Sequence, residues 1–355
     1  MSPARSRSSP LPLLLLLLGL GGRVLAGSGA SDWSYTGANG EDHWSSRYPY
    51  CGNLQQSPID FHTGIFHYNP ALEPIQLLGY NLSATETLTL TNDGHAVKMT
   101  LPPTMHISSM PHRYTAVQLH LHWGNESEAL GSEHTVGGQH YPSELHIVHY
   151  NSEKYKDIST AQDKVDGLAV LGILIETGSF NAAYEQIFGH LKEIQYKGVE
   201  IHLPGFNIND LLPHRLDEYF RYNGSLTTPP CYSSVLWTVF RSPVQISNEQ
   251  LLELEKDLYF SQADENRREM VNNYRHVQQL GEREVFISFR EEALNAGHKL
   301  TLGVILTVAL GCVLAVMVAL ALSCFFLRKR ADKTTENRGV IYKPTASKED
   351  GLSQA

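Results

Sequence analysis

Histidines are concentrated in one stretch of the sequence, where residues 120–150 hold six of the 17 in the chain. His120 and His122 stand two residues apart in QLHLHWG, and His146 follows Glu144 at the same spacing in ELHIVHY. Side chains on a β-strand alternate between its two faces, so the members of each pair share a face. If the two strands are neighbours, His120, His122 and His146 converge on one point.

Three converging imidazoles are the ligand set of a catalytic zinc ion, because they leave the fourth tetrahedral position open. The stretch contains no cysteine, which argues against an iron–sulfur cluster or a structural thiolate site. Gln118 and Glu144 each precede a candidate ligand by two residues, where they can accept the second N–H of an imidazole. The alternative is a group of ordinary histidines with local hydrogen bonds. The paired spacings favour the zinc site.

The start of the chain has the pattern of a secretory signal peptide. Arg5 and Arg7 precede an apolar run at 11–20 that is too short to span a bilayer. The sequence RVLAG that follows suits cleavage after Ala26. The mature protein is therefore expected to enter the secretory pathway.

A second apolar run, residues 300–327, contains no charge and is long enough to cross about 30 Å of hydrocarbon. Because RKR follows at 328–330, this end is predicted to be cytoplasmic. A buried core helix is the alternative, which the length of the run and its basic flank disfavour. The pattern predicts a single-pass type I protein of the plasma membrane. Its predicted parts are a signal peptide (1–26), an extracellular domain (27–292), a juxtamembrane stalk (293–299), a transmembrane helix (300–327) and a cytoplasmic tail (328–355).

The cysteines and sequons agree with that compartment, and the net charge bears on the choice of partner. A net charge of −9 argues against nucleic acid as a partner. Two of the four cysteines lie in the span, so a disulfide between Cys51 and Cys231 is the natural inference in an oxidising compartment. Three Asn-x-Ser sequons are candidate glycan sites: Asn81, Asn125 and Asn223.

The extracellular part shows no linker or repeat, and most of its segments are short and rich in β-branched and aromatic residues. Two segments have helix signals, an Asn cap before 181–194 and a Ser cap with Gln250 in 247–260. We therefore predict a mixed, β-dominated (α+β) fold. It would be a single domain around a large, mostly antiparallel twisted sheet with peripheral helices, followed by one C-terminal transmembrane helix.

Six motifs occur in order along the chain: QSPIDF, NDGHAV, QLHLHWG, GSEHTV, ELHIVHYN and GSLTTPPC. Together they resemble the α-class carbonic anhydrases, over roughly residues 33–289. With its signal peptide and single span, the chain is similar to the membrane-bound members of that family. The resemblance implies reversible hydration of CO₂ to bicarbonate and a proton, by attack of zinc-bound hydroxide on CO₂.

The resemblance also implies roles for residues outside the histidine pairs. The backbone carbonyl of Asn273 matches the group that holds one ligand imidazole. Thr227 matches the threonine that accepts a hydrogen bond from the zinc-bound hydroxide, and Glu133 the carboxylate that takes the threonine's own proton. The family's substrate-binding positions match Thr227, Thr228, Leu226, Val148, Val170, Val235 and Trp237.

His95, in NDGHAV, matches the family's proton shuttle, and Tyr35 matches a residue of the water chain between shuttle and metal. A histidine suits this task because its usual pKa near 6.5 lets it both take and release a proton. Asp93 stands where the family usually has Asn, and a carboxylate there is expected to raise the pKa of His95. Lys98 occupies a position that is often neutral.

Further expectations come from the resemblance alone. They are cis peptide bonds at Ser57–Pro58 and Pro229–Pro230, inhibition by sulfonamides, and a homodimer. Ala315 and Ala319 in the span add a weak small-xxx-small signal for helix pairing.

Two other functions are weighed against this one. One is a carbonic-anhydrase-like binding module without activity, which the presence of all three histidines and Thr227 disfavours. The other is a different zinc hydrolase, which the lack of an HExxH motif disfavours.

Overall fold

The computed structural model describes residues 33–128, 130–290 and 292–336. The predicted signal peptide, and the cytoplasmic tail from residue 337 onward, lie outside these residues. Within the described part, a 13-stranded sheet is built from strands between residues 66 and 287.

The strands are short at the sheet edges and long at its centre. In chain order they are β1 (Asp60–Phe61), β2 (Phe66–Tyr68), β3 (Leu77–Leu78), β4 (Thr87–Asn92), β5 (Val97–Thr100), β6 (His106–Ile107), β7 (Tyr114–Trp123), β8 (Thr135–Val136), β9 (Ser143–Asn151), β10 (Leu168–Thr177), β11 (Glu200–Pro204), β12 (Tyr219–Gly224), β13 (Val235–Phe240), β14 (Val244–Ile246) and β15 (Val285–Ile287).

The main sheet has the strand order β11-β4-β5-β7-β9-β10-β13-β12-β15-β2, while β14 pairs with β10, and β3 and β6 attach beside β7. Most neighbours are antiparallel; β10 runs parallel to β13 and β14, and β15 runs parallel to β2. β1 and β8 form a separate parallel pair. The predicted mixed, β-dominated fold around a mostly antiparallel sheet is confirmed.

The helices around the sheet are short and peripheral, and the two that were predicted from capping signals are shorter than predicted. In chain order the α-helices are α1 (Trp44–Arg47), α2 (Ile158–Ala161), α3 (Ala182–Phe188), α4 (Asn248–Glu255) and α5 (Glu292–Glu336). Short 3₁₀ turns lie at Gly37–Asn39, Glu41–His43, Pro49–Gly52, Leu191–Glu193 and Ile208–Leu211.

Both predicted helix starts are confirmed, but both predicted ends are too late. Asn181 caps α3 by accepting N–H groups, and Ser247 and Gln250 form a capping box on α4. Helix α3 stops before Gly189, after which the chain turns into a 3₁₀ segment. Helix α4 stops before Lys256, whose extended backbone is followed by Asp257 at a φ of 61°. The left-handed backbone at Asp257 cannot continue a helix.

The two faces of the sheet bury different residues. On β7, β9 and β10, Leu121, Ile147 and Leu171 face a large apolar core that also receives α3 and α4. The opposite face carries the histidine pairs and a smaller cluster around Val148 and Trp237. This division follows from the alternation of side chains along a strand.

Helix α5 is 45 residues long, and its segment Val304–Arg330 is long and apolar enough to cross a membrane. At about 1.5 Å per residue the helix measures roughly 68 Å, more than twice the hydrocarbon thickness of about 30 Å. Because α5 begins at Glu292, residues 293–299, predicted as a stalk, are its first turns.

Cys51 and Cys231 are joined by the predicted disulfide across a sequence separation of 180 residues. Both cysteines are buried beside Trp44 and Tyr35. The peptide bonds Ser57–Pro58 and Pro229–Pro230 are cis, as expected from the family resemblance. The disulfide thus ties the N-terminal segment to the loop that carries Thr227.

Replacing Cys51 and Cys231 with Ser should lower the free energy of unfolding. Cross-linking a loop of this length removes chain entropy worth up to about 5 kcal/mol from the unfolded state. Urea unfolding of the full-length protein in detergent measures the loss. Cys312→Ser with Cys324→Ser, in the span, is the matched control and should leave stability unchanged. Alkylation that finds Cys51 and Cys231 both free in the untreated protein would contradict the pairing.

Candidate metal centre

Strands β7 and β9 lie side by side and antiparallel, so the predicted pairing of the two histidine strands is confirmed. His120 stands opposite His146, and His122 stands opposite Glu144. The ring centroids of the three histidines are 4.7 to 5.2 Å apart. The register of this one strand pair is therefore what brings the three rings together.

In each ring, one nitrogen is held by an oxygen acceptor. His120 Nδ1 lies 2.9 Å from Gln118 Oε1. His122 Nδ1 lies 2.8 Å from the carbonyl oxygen of Asn273, and His146 Nε2 lies 2.7 Å from Glu144 Oε1. An oxygen acceptor requires the facing nitrogen to carry the hydrogen. A neutral imidazole then presents a lone pair at its other nitrogen.

The nitrogens with lone pairs, His120 Nε2, His122 Nε2 and His146 Nδ1, face a common point. The candidate ligand atoms of these residues lie within 4.8 Å of one another, and His122 Nε2 is 3.1 Å from His146 Nδ1. Glu133 Oε2 is 3.4 Å from His122 Nε2 and has no hydrogen-bond partner in the described part of the chain. Lone pairs that face each other without a hydrogen repel, and a cation between them removes the repulsion. The donor set of three imidazoles fits zinc.

Burial favours the neutral form that metal binding requires. Desolvation lowers the pKa of His120 well below its usual value, and the neighbouring His122 and His146 lower it further. The pKa of His122 is also lowered, again chiefly by burial. His122 and His146 are fully buried, whereas His120 is partly exposed and marks the open side of the site.

Glu144 holds His146 and a fourth histidine that the sequence analysis did not single out, His134. Its Oε1 accepts from His146 Nε2 and from His134 Nδ1, both at 2.7 Å, and its Oε2 accepts the backbone N–H groups of Glu133 and His134. Burial by itself raises the pKa of Glu144, but the two histidines outweigh it and hold that pKa well below its usual range. The carboxylate is therefore ionised and fully paired.

Space for this carboxylate depends on Gly172, which stands opposite His146 on β10. A Cβ at Gly172 would lie 3.0 Å from Val239 and 3.2 Å from Glu144 Oε1. His134 continues the network to Tyr222, whose hydroxyl is 2.7 Å from His134 Nε2 and 2.9 Å from Ser57 Oγ. The signal for His134 in the sequence was its place directly after Glu133 in GSEHTV.

Among the described residues, Glu133 accepts one hydrogen bond, from the backbone N–H of Arg275 to its Oε1 at 2.9 Å. Since its Oε2 is unpaired, the hydrogen bond from Thr227 that the family resemblance implies is not made at that oxygen. Thr227 itself is buried, in the loop between β12 and β13. Both residues are thus buried, and the expected hydrogen bond between them is not made at Glu133 Oε2 in the described structure.

The ring of His95 stacks on Trp33, with centroids 3.7 Å apart and planes 8° from parallel. Burial lowers the pKa of His95 to about 4; Asp93 opposes this shift, while Lys197, Lys98 and Arg268 add to it. The predicted effect of Asp93 therefore has the expected sign but is outweighed.

Asp93 is engaged by its own turn rather than by the imidazole of His95. Its Oδ1 accepts the backbone N–H groups of His95 and Ala96, each at 2.9 Å, and its Oδ2 pairs with Lys98 at 3.2 Å.

Tyr35 is buried, and desolvation raises its pKa well above the usual value, with smaller contributions from Glu133 and Asp93. Tyr35 and His95 line one cavity of about 260 Å³.

The expected apolar wall forms one row across neighbouring strands. Val148, Val170 and Trp237 stand opposite one another on β9, β10 and β13, and Val235 follows on the same face of β13. The Trp237 ring centroid is 4.8 Å from that of His146. Leu226 packs against the same cluster, half-buried. Thr228 accepts the backbone N–H of Cys231 at 2.9 Å, which closes the loop after Thr227.

The three sequons differ in accessibility. Asn81 and Asn223 are exposed. Asn125 is half-buried, and its side chain donates to Asn272 Oδ1 at 3.0 Å and accepts the backbone N–H of Ser127 at 2.8 Å.

Comparison with known proteins gives the same family as the motifs. The family model described as eukaryotic-type carbonic anhydrase matches residues 39–289. Human carbonic anhydrase 12 is 53% identical over 320 residues, which cover 90% of this chain and 90% of that protein. Human carbonic anhydrase 6 is 41% identical over 274 residues, or 76% of this chain and 87% of that protein. Human carbonic anhydrase 7 is 37% identical over 268 residues, or 74% of this chain and 99% of that protein.

Replacing His122 with Ala should reduce zinc retention by at least about tenfold, since loss of even an outer partner of a zinc ligand typically costs 10- to 100-fold in affinity. Metal analysis after dialysis of the full-length protein measures the loss, and CO₂ hydration should fall with it. His106→Ala, in β6 away from the site, is the control and should keep both. Normal zinc content and activity in His120→Ala, His122→Ala or His146→Ala would contradict the three-histidine site.

Proposed function

The chain belongs to the eukaryotic-type carbonic anhydrase family and is a carbonate dehydratase, and on this premise we propose how and where it hydrates CO₂. The proposed site holds one zinc ion through His120, His122 and His146 at the outer face of a membrane. The observation that carries it is the convergence of three ring nitrogens whose partner nitrogens are committed to oxygen acceptors.

When bound, zinc would act as a Lewis acid that makes hydroxide available near neutral pH, a chemistry for which carbonic anhydrases are the standard example. The protein's contribution is to hold the imidazoles neutral, correctly oriented and partly shielded from water. CO₂ hydration and zinc content of the full-length protein test the proposal together. An inactive binding module would lack the hydration activity; such a protein is disfavoured because all three ligands and Thr227 are present.

Thr227 and Glu133 are proposed to orient the nucleophile. A threonine hydroxyl has one hydrogen, so if Glu133 accepts it, the threonine oxygen must turn a lone pair toward the attacking hydroxide. The unpaired Oε2 of Glu133 is the acceptor available for that hydrogen. This arrangement would fix the direction of the hydroxide's own attacking lone pair.

The apolar wall is proposed to hold CO₂, which carries no net charge. Val148, Val170, Val235 and Trp237 are buried beside His146, and Leu226 and Thr228 flank them on the loop of Thr227. Bicarbonate is charged, so its contact with this apolar surface is less favourable than that of CO₂. Sulfonamide inhibition is expected of this site through its family membership.

His95 is proposed to carry the proton from the site to buffer in solution, with Tyr35 beside the path. With its pKa lowered to about 4 by burial, protonated His95 would release its proton readily at neutral pH. Taking up the proton is then the harder step. Because desolvation is the largest cause of the low pKa, a ring that leaves Trp33 for solvent would accept the proton more easily.

The domain is proposed to lie outside the cell, with α5 as its membrane anchor and residues 328–355 inside. The signal-peptide pattern, the apolar segment Val304–Arg330 and the sequons support this topology. Pairing of two spans at Ala315 and Ala319 stays a prediction.

His95→Ala should slow turnover at low buffer concentration by at least about tenfold, a modest expectation beside the roughly 100- to 10,000-fold that a positioned proton-transfer group typically contributes. kcat/KM for CO₂ should stay nearly unchanged, because attack on CO₂ does not involve His95. Steady-state kinetics over a buffer series measures both constants, and added imidazole should restore turnover. Wild-type turnover in weak buffer would remove His95 from the mechanism.

Asp93→Asn should move the pH dependence of the shuttle step to lower pH. The Asp93 carboxylate raises the pKa of His95, so its removal lowers that pKa further below about 4 and frees Lys98, which acts in the same direction. The pH profile of turnover in weak buffer is the measurement. Asp163→Asn, in an exposed pair with Lys164, is the control. An unchanged profile for Asp93→Asn would end the tuning hypothesis.

Glycosidase treatment of the protein from cells should lower its apparent mass, since glycans are added only to segments in the secretory lumen. Asn81→Gln and Asn223→Gln should each reduce the mass, because both side chains are exposed, and Asn125→Gln should change it less. Gel mobility of the three variants measures this. A glycan-free domain that an impermeant protease cannot reach in intact cells would contradict the topology.

A further inference from the structure

Arg275 is an arginine of 3% exposure whose guanidinium binds the segment around Cys51. Its Nη1 donates to Gln56 Oε1 at 2.9 Å and to the carbonyl oxygen of Ser57 at 3.0 Å. Its Nη2 donates to the carbonyl oxygen of Cys51 at 3.1 Å. One side chain therefore fixes three oxygens of the N-terminal segment.

The backbone of the same residue reaches the metal centre. The N–H of Arg275 donates to Glu133 Oε1 at 2.9 Å, the one hydrogen bond this carboxylate accepts in the described structure. Two residues earlier, the carbonyl oxygen of Asn273 holds His122 Nδ1 at 2.8 Å. Residues 273–275 are thus a short link between a candidate ligand, its neighbouring carboxylate and the buried guanidinium.

The oxygens that Arg275 holds are connected to the loop of Thr227 by two routes. The first is covalent, through the disulfide from Cys51 to Cys231. The second is the side-chain amide of Gln56, whose Nε2 donates to the carbonyl oxygen of Cys231 at 3.2 Å while its Oε1 accepts from Arg275. Cys231 closes the loop by donating its N–H to Thr228.

We propose that Arg275 is a positioning residue for CO₂ hydration, which sets the place of Thr227 relative to Glu133. Its amide fixes Glu133, and its guanidinium fixes the anchor from which Gln56 and the disulfide hold the loop of Thr227. This inference rests on the proposed roles of Thr227 and Glu133, and it assigns the common support of the two.

Arginine suits this place because its planar fork sets the directions of its N–H groups. The charge is buried without a hydrogen-bonded carboxylate in the described structure; the nearest, Glu41, has its Oε1 3.7 Å from Arg275 Nε. The ring of Trp44 lies 5.4 Å from the guanidinium carbon. Removing the guanidinium would leave the oxygens of Gln56, Ser57 and Cys51 buried without their donor, so the anchor would shift to find others.

The test compares two buried arginines. Arg221, of 9% exposure, donates to Thr238 on the opposite face of the sheet and stacks on Tyr219. Arg275→Met and Arg221→Met should both lower the melting temperature of the full-length protein. Only Arg275→Met should lower kcat/KM, by roughly 10- to 100-fold, the usual cost of a displaced reacting group. In Arg275→Met, turnover in weak buffer should fall less than kcat/KM does. His95→Ala should show the reverse pattern, with lower turnover and a nearly unchanged kcat/KM.

A readout without catalysis accompanies the kinetics. Hydrogen exchange at residues 225–232 should quicken in Arg275→Met and not in Arg221→Met. Arg275→Lys, which keeps the charge but loses the fork, should recover part of kcat/KM. Equal kcat/KM and equal exchange in the two Met variants would overturn the proposal.

Gln56→Leu keeps the test decisive if Arg275→Met does not fold. It removes one of the two routes to Cys231 and leaves Arg275 in place. Reduction of the disulfide in Gln56→Leu should lower kcat/KM by more than the product of the two separate fold-changes, since each route supports the loop when the other is lost. Fold-changes that simply multiply would mean independent effects and would overturn the proposal.

Thr227→Ala and Glu133→Gln distinguish the proposal for Arg275 from the proposed function of Thr227 and Glu133, on which it rests. If neither lowers kcat/KM, the proposed function of that pair fails, whatever Arg275 does. If both lower it while Arg275→Met behaves like Arg221→Met, the pair acts in catalysis and Arg275 does not position it.

Discussion

Three imidazole nitrogens can face one another only because each ring gives its other N–H to an oxygen. Gln118, Glu144 and the carbonyl of Asn273 supply those oxygens. The acceptors come from three different elements, so the ring orientations depend on the fold of the whole domain. A free neutral histidine exchanges between its two tautomers, whereas these rings are held by their hydrogen bonds in the tautomer that presents a lone pair to a metal.

Buried carboxylates extend this constraint away from the metal. Glu144 is saturated with four hydrogen bonds and links His146 to His134. Glu133 keeps one oxygen unpaired beside His122. An unpaired carboxylate oxygen is costly in a protein interior, and a site that works on protons and hydroxide is where such a cost has a use. The contrast supports the proposal that Glu144 holds the ligand ring of His146 while Glu133 takes part in the reaction.

The sheet separates stability from chemistry by its two faces. The aliphatic residues of β7, β9 and β10 pack into the large core on one face, and the histidines and apolar wall occupy the other. The disulfide and Arg275 add support where the sheet ends and the loop of Thr227 begins. Parts of the site that do not sit on strands are therefore held by buried polar contacts.

The sequence by itself determined the three histidines, their carboxylate and amide partners, the disulfide and the type of fold, while the compartment stays a prediction. These follow from local rules: strand alternation places His120 with His122, and length and composition identify the apolar segment of α5. The starts of α3 and α4 were also local, since Asn181 and Ser247 cap them. The ends of α3 and α4 did not follow from local signals. The chain turns at Gly189 and adopts a left-handed backbone at Asp257, and both changes are set by the packing of the surrounding chain.

Only the tertiary structure decided the contacts between residues far apart in sequence. His134 belongs to the centre because it forms hydrogen bonds with Glu144 and Tyr222. Arg275 belongs to it because its backbone and side chain form hydrogen bonds with Glu133, Gln56 and Cys51. The pKa of His95 was predicted from the usual value of a histidine with Asp93 as neighbour. Stacking on Trp33 covers one face of the half-buried ring, and desolvation lowers its pKa by more than Asp93 raises it. Burial is a property of the packed chain, and no spacing of residues in the sequence records it.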